Sequence, residues 1–478
     1  MIAAIATLTA VGGEVSAKNA AAATAPRDAG EPIMAIVSIK SQQVTFYDAD
    51  GWIVKAPVST GVKGRETPAG VFAVIEKDAD HRSTLYDDAW MPHMQRITWN
   101  GIALHGGPLP GYAASHGCVR MPYGLAKNIF DKTRIGMRVI ISPDDATPVD
   151  FAHPVLLEPD TAAVAAAPER AETLAREAAA AEKAAAETKK AAKKAERDAA
   201  SAKSLLRKLE RRKAYADDEL ADAQKALDRA KTDKAKSRAE ERKAKAETKA
   251  ADAATKLDTA KVELAPKIDA ADEATAAAKE AATRKTETAK AAEEAKLALV
   301  PVSIYISRAT QKLYVRRNTH KRWPDGGEVF DATIEAPVTI RDPDKPIGTH
   351  IFTAMAPSYQ GLRWSAVTID GGDDASDALD RVSIPKEVLD RIAPTALPRS
   401  SIIVSDEPLS RETNYRTEFV AVLSDQPQGG FKTRRPTVSP KPWEDVGGGG
   451  FFSFFGPPNQ DQKSKRRRRR NTGKSGWW

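Results

Sequence analysis

The sequence predicts a mostly β protein in which two β-rich domains are joined by a long helical spacer and followed by a disordered tail. Three observations carry this expectation. From Gly136 to Gly326 there is no glycine, and between Pro159 and Leu299 the sole aromatic residue is Tyr215. Before and after that stretch the chain falls into short β-branched and aromatic runs separated by Gly, Asp or Pro. Beyond about residue 426 the composition turns to Gln, Pro, Gly, Lys and Arg.

Residues 1–32 read as a leader. Positions 2–12 are apolar, and Val15-Ser16-Ala17 offers the small side chains a signal peptidase accepts, so the segment is expected to be a signal peptide or a disordered Ala-rich leader. No later apolar stretch reaches the roughly 18–20 residues that a bilayer-spanning helix needs. In residues 33–143, Ile36-Val-Ser-Ile39, Val44-Thr-Phe-Tyr47, Trp52-Ile-Val54 and Val71-Phe-Ala-Val-Ile75 predict strands of an antiparallel sheet.

Residues 155–299 are mostly Ala, Lys, Glu, Arg, Asp and Thr, strong helix formers with opposite charges at helical spacing. Leu206, Leu220 and Leu227 hold a heptad phase, as do Leu257 and Leu264, but the other seam positions are mostly alanine or polar, which predicts a thin coiled coil. About 130 helical residues would extend roughly 200 Å. Pro266 is the expected kink, so the segment is either a rod or a flexed hairpin, and it could also support an oligomer. In residues 300–425, Ile304-Tyr-Ile306 and Gln311-Lys-Leu-Tyr-Val315 are strand-like, and Pro346-Ile-Gly348 precedes Ile351-Phe352 much as Pro68-Ala-Gly70 precedes Val71-Phe72. The chain is therefore expected to repeat itself. Residues 426–478 read as a disordered basic tail, with Phe451-Phe-Ser-Phe-Phe455, Arg466 to Arg470 and Trp477-Trp478 suited either to solvent or to an anionic interface. The formal net charge of +8 comes mainly from that arginine run, so no nucleic-acid face is expected.

One constellation carries chemistry. The sole cysteine, Cys118, follows His116 by two residues and His105 by thirteen. A lone cysteine excludes an intramolecular disulfide and leaves the thiol either packed or reactive. A thiol is only a few per cent ionised at neutral pH, and an imidazole within reach raises that fraction and later returns the proton to a leaving group, so Cys with His suggests acyl transfer. Gly106, Gly107, Gly111 and Gly117 allow turns that aim amide N–H groups at a developing oxyanion. Two other readings stand beside this one: a packed thiol among loop histidines, or a zinc site of His105, His116 and Cys118.

Ser115-His-Gly-Cys118-Val-Arg120, preceded by an apolar strand ending in His105-Gly106, resembles the signature of the L,D-transpeptidase catalytic domain, the YkuD or ErfK family. Ser59-Thr-Gly61 and Thr67-Pro-Ala-Gly-Val-Phe72 look like the same family's upstream strands, so the resemblance covers roughly residues 33–143. It implies a β-sandwich in which Cys118 is the nucleophile and His105 the proton donor and acceptor. On the same resemblance Ser115, His116 and Gly117 shape the oxyanion hole and hold the nucleophile turn, and Arg120 fixes that turn or a substrate carboxylate. The implied reaction is transfer of a peptidoglycan tetrapeptide stem to an amine, giving 3→3 cross-links in the periplasm or cell envelope without metal or organic cofactor. An outer-membrane or envelope protein is a further possible acceptor, and a ligase or carboxypeptidase would use the same pair. The second β-rich segment contains no cysteine, and Ser410-Arg-Glu-Thr413 falls where a catalytic turn would lie, so it is expected to be a degenerate copy. The alternative from another class is a tether whose β-domains bind envelope partners.

Overall fold

In a computed structural model the chain is described for residues 22–432, apart from 87, 325, 326 and 360. The fold is mixed, 39% helical and 27% strand, so the helical share exceeds what a mostly β reading allowed. The first domain contains β1 (Ala23–Thr24), β2 (Met34–Ser38), β3 (Gln43–Asp48), β4 (Gly51–Pro57), β5 (Gly70–Ala73), β6 (Glu76–Arg82), β7 (Trp90–Arg96), β8 (Ala103–Gly106), β9 (Val119–Met121), α1 (Tyr123–Phe130) and β10 (Arg138–Ser142). The second contains β11 (Val149–Phe151), then the helices α2 (Thr161–Asp228) and α3 (Asp233–Leu297), then β12 (Val302–Ser307), β13 (Lys312–Arg322), β14 (Glu328–Pro337), β15 (Thr339–Ile340), β16 (His350–Ser358) and β17 (Gly361–Thr368). It closes with α4 (Ala375–Asp380), β18 (Val382–Ser383), α5 (Lys386–Ile392), β19 (Ser401–Ser405) and β20 (Ala421–Val422).

The two large sheets share a strand order. In the first, β4, β3 and β2 form a meander, β2 pairs in parallel with β10, and β10 pairs antiparallel with β5. In the second, β14, β13 and β12 form the meander, β12 pairs in parallel with β19, and β19 pairs antiparallel with β16. The hairpin turns match in detail. Gln42 (φ 51°) and Gln311 (φ 52°) both lie in the left-handed region, with each side-chain amide donating to the carbonyl three residues back, Ile39 in one case and Arg308 in the other. Ser38 Oγ accepts the Ser41 N–H at 3.1 Å, and Ser307 Oγ accepts that of Thr310 at 3.2 Å.

The two domains are packed against each other rather than held apart. Successive strand residues face opposite sides, and here both sides are buried. Ala35, Val37, Phe72, Val139 and Ile141 enter the first domain's own core, while Met34, Ile36, Val71 and Ile140 meet Tyr305, Ile351, Val367 and Ile403 of the second domain in a shared core. Ile304, Ile306, Ile402 and Val404 face the second domain's own core. Continuous apolar runs such as Met34-Ala-Ile-Val37 are the signature of strands covered on both faces. The strand β20 completes the interleaving by pairing with β5 of the first domain.

A buried ion pair crosses the seam. Arg138 on β10 binds Glu418, and Ser303 and Ser401 also bond to the pair, Arg138 Nη2 donating to Ser401 Oγ at 2.8 Å. Both charged side chains are at least nine-tenths buried. Removing one partner strands the other charge, which typically costs about 3–5 kcal/mol. Glu418→Ala is therefore expected to lower unfolding stability in urea by about that much, whereas Lys285→Ala, which breaks only the exposed pair with Glu182, should leave it close to wild type.

The helices form a hairpin inserted between β11 and β12 of the second domain, not a spacer between domains. The 68 and 65 residues of α2 and α3 give arms of about 100 Å each, half the rod length. The reversal lies at 229–232, where Thr232 Oγ1 caps α3 by accepting the Ala235 N–H at 3.3 Å. Pro266 sits inside α3, which continues through it. The arms meet along alanines at heptad spacing, Ala185, Ala192 and Ala199 on α2 and Ala239, Ala246, Ala253 and Ala260 on α3, with Lys249–Glu219 bridging them at 2.9 Å. Among the leucines of the expected seam, Leu257 is buried and Leu220 packs on Ala216, Ala250 and Ala253.

Two boundary segments are ordered where disorder was expected. β1 pairs with β4 within the supposed leader, and Arg27 Nη1 donates to Asp48 at 2.7 Å. Residues 429–431 form a short helical turn on the first domain. The apolar start of the leader and the tail beyond 432 lie outside the described residues. No helix among the described residues is long and apolar enough to cross a membrane.

Candidate active site

The smaller sheet of the first domain, β6-β7-β8-β9, builds the site. β8 and β9 pair in parallel with Leu104 opposite Val119 and His105 opposite Arg120. Opposed residues share a face, so Ala103, His105, Cys118 and Arg120 lie on one side. Leu104, Val119 and Met121 lie on the other and enter the core with α1, which buries Leu125, Ala126 and Ile129. The one-sided register thus places a thiol and an imidazole on one face.

Cys118 is half-buried against Met91, Met94 and Ala103. Its Sγ donates to the Gly101 carbonyl at 3.6 Å. Burial pushes the thiol above its ordinary pKa, against the pull of the Ala103 amide and of Arg96 and Arg120. His105 is buried, and its Nδ1 lies 2.9 Å from the Gly106 carbonyl. A carbonyl only accepts, so that nitrogen carries the proton and Nε2 keeps the lone pair. Burial pushes the His105 pKa down to about 4, assisted by the charges of Arg120 and His81 and opposed by the Gly106 bond. Burial thus favours the uncharged thiol and the uncharged imidazole.

The turn that presents Cys118 is held from several sides. Gly117 has φ +120°, a conformation L side chains rarely adopt. Its N–H donates to Ser115 Oγ at 3.1 Å, and Ser115 Oγ in turn donates to the Cys118 carbonyl. The Gly117 N–H is thus engaged within the turn itself. Thr67 Oγ1 donates to the Gly117 carbonyl at 2.7 Å and accepts the Gly61 N–H at 2.9 Å. Ser59 exchanges backbone bonds with Arg120, both at 3.0 Å, and its Oγ bonds Tyr112 and Ala114. The Ser59-Thr-Gly61 and Thr67-Pro strings thus have a physical role that the sequence alone did not display. His116 is exposed and stacks on Tyr86, ring centroids 4.6 Å apart. The side chain of Arg120 runs across Gly107, where a Cβ would meet Arg120 Cδ at 3.1 Å. Among the described residues no group of three or more His, Cys, Asp or Glu side chains is clustered as a metal site requires.

The part of the chain that carries this face matches a known family model. Residues 32–141 match YkuD, the L,D-transpeptidase catalytic domain. No curated protein matches the chain. Among solved structures the chain is similar to an L,D-transpeptidase from Mycobacterium smegmatis, at 22% identity over 23% of this chain and 59% of that one, with a TM-score of 0.22. It is similar also to one from Mycobacterium tuberculosis H37Rv, at 20% identity, 23% and 58% coverage and a TM-score of 0.21. The catalytic domain of the Enterococcus faecium L,D-transpeptidase acylated by ertapenem matches at 24% identity over 24% of this chain and 99% of that one, TM-score 0.21. The chain thus spans 59% of the length of the mycobacterial enzyme first named.

No motif in the sequence marks the loop Trp99–Gly101, whose last carbonyl accepts the thiol, or the groups that hold that loop. Glu412 Oε2 accepts the Trp99 N–H at 2.6 Å, and Asn100 Nδ2 donates to the Gly430 carbonyl at 3.0 Å. Glu412 lies in the Ser410–Thr413 string, the expected place of a degenerate catalytic turn. It instead reaches across to the first domain.

Proposed function

We propose that the protein is an exported peptidoglycan L,D-transpeptidase with Cys118 as nucleophile. The observation that supports it most is the parallel register of β8 and β9, which sets Cys118 and the Nδ1-protonated His105 on one face beside Arg120. The Cys118 sulfur attacks the carbonyl of the third residue of a tetrapeptide stem, a diaminopimelate, while His105 Nε2 takes the thiol proton. The carbon–nitrogen bond to the terminal D-alanine breaks, and the imidazolium returns the proton to the departing amine. A thioester remains. The side-chain amine of a neighbouring stem attacks it, forming the 3→3 amide and restoring the thiol. Ser115 and Gly117 hold the turn, His116 closes its outer side, and Arg120 faces the substrate carboxylate. The same chemistry with a protein amine or with water as acceptor would make a ligase or a carboxypeptidase.

The shared strand order and the matched Gln42 and Gln311 turns support reading the second domain as a degenerate, non-catalytic copy. Its histidines lie apart from one another: His350 is buried and bonded to Thr368 and to the Ile347 carbonyl, His320 is exposed beside Glu328, and His153 lies against Asp380. The alanine seam is used within the hairpin, which favours a coiled-coil arm over an oligomer built through that seam.

Purified disaccharide tetrapeptide is the substrate that tests this reading. Mass analysis should find free D-alanine together with a tetrapeptide–tripeptide dimer. Tripeptide without dimer would instead make the chain a carboxypeptidase, and unchanged substrate would leave a non-enzymatic tether as the better account.

A further inference from the structure

The residues that match the family model do not finish the nucleophile turn; the second domain does. After β19 the chain crosses onto the first domain, where β20 pairs with β5 and the Leu423 N–H donates to the Ala69 carbonyl at 3.0 Å. The turn Gly429–Phe431 then seats beside the nucleophile. The Gly430 N–H donates to the Glu66 carbonyl at 2.8 Å, and the Gly429 N–H to Glu66 Oε2 at 3.1 Å. Phe431 packs on the first domain's core. Contact there is backbone to backbone. A Cβ on Gly430 would lie 2.5 Å from the Glu66 carbonyl oxygen and 3.3 Å from Gly117 Cα. Only glycine fits without moving one strand of chain off the other.

From the opposite side Glu412 holds the Trp99 N–H, and the Arg416 guanidinium lies over the Trp99 ring at 4.1 Å. The loop so clamped is the one whose Gly101 carbonyl accepts the Cys118 thiol. The structure therefore links Glu412 and Gly430 to the sulfur through one hydrogen-bonded loop.

We propose that Glu412 and Gly430 are positioning residues for Cys118, so that the second domain, which has no nucleophile of its own, completes the first domain's active site in cis. This rests on the reading of Cys118 as the nucleophile. Holding Trp99–Gly101 fixes the carbonyl that orients the thiol and limits access to it. Releasing the loop frees the thiol for a small reagent and misaligns it for acyl transfer, where displacement by about 1 Å can lower rates 10²-fold.

The test compares full-length wild type with Glu412→Ala, Glu412→Gln and Gly430→Ala in two reactions below their melting temperatures: alkylation by iodoacetamide and acylation by ertapenem, both read by intact mass. Glu412→Ala and Gly430→Ala should be alkylated at least fivefold faster and acylated on the order of tenfold more slowly. Glu412→Gln, whose amide oxygen still accepts the Trp99 N–H, should behave as wild type in both, which a general loss of stability would not reproduce. Alkylation rates within twofold of wild type for both disrupting variants, or a Gln variant as altered as the Ala variant, would overturn the proposal. A wild type that is alkylated but never acylated would sink the transpeptidase reading instead, and the alkylation ratios would still decide the positioning role.

Discussion

Cys118→Ala should release no D-alanine from tetrapeptide stems, with turnover at the detection floor and the fold intact. The side chain packs on Met91, Met94 and Ala103, and the thiol makes a long hydrogen bond to Gly101, so losing the sulfur removes little that holds the domain together. No second thiol exists to take its place. Circular dichroism and the melting transition should therefore stay close to wild type while product disappears. Cys118→Ser should be as inactive: a hydroxyl is a far weaker nucleophile than a thiol, and a base whose pKa lies near 4 cannot compensate for that difference. Measurable D-alanine release from the Ala variant would remove the chemistry from this turn altogether.

His105→Ala should lower acylation by about 10²–10⁴-fold, the usual worth of general-base assistance, and the loss should far exceed that of His116→Ala. The reason is geometric. His105 is on the sulfur's face of the sheet with Nδ1 bonded to Gly106, whereas His116 is exposed and stacked on Tyr86. The pH dependence provides an independent check. A base must be unprotonated, and the His105 pKa is held down to about 4, so acylation in the wild type should stay near its plateau through pH 6 and fall only as pH approaches that value. A midpoint near 6.5 would mean that a different, solvent-exposed histidine moves the proton. The same depression carries a stability consequence. Between about pH 6.5 and 4 the unfolded chain binds a proton at this position that the folded chain refuses, so stability falls as pH drops through that window.

Much of the active face was legible because its residues are close in sequence. The thirteen-residue separation of His105 and Cys118 and the glycines between them mark a strand, a loop and a tight turn at the cysteine. The supports were less legible. Thr67 and Ser59 were recognisable as familiar strings, but their bonds to Gly117 and to Tyr112 and Ala114 depend on a fold that brings distant segments together. Glu412 and Gly430 bond to Trp99 and Asn100 from more than 300 residues away, beyond any local pattern. The arrangement of the domains was half written. Apolar residues at consecutive positions in β2 and β10 signal strands covered on both faces, yet nothing local says that the second cover is the other β-domain. The hairpin reversal had a signal that Pro266 overshadowed. Lys231-Thr232-Asp233 is a helix N-cap pattern with an acid in the first turn, and it marks the start of the second arm.

The central claim is that the Cys118 sulfur forms the acyl intermediate, and intact-mass analysis of full-length protein with ertapenem, followed by peptide mapping, tests it most directly. Wild type should gain one drug mass, carried on the peptide that contains Cys118, and Cys118→Ala should gain none. An adduct that persists in Cys118→Ala, or that maps to any other residue in the wild type, would contradict the account.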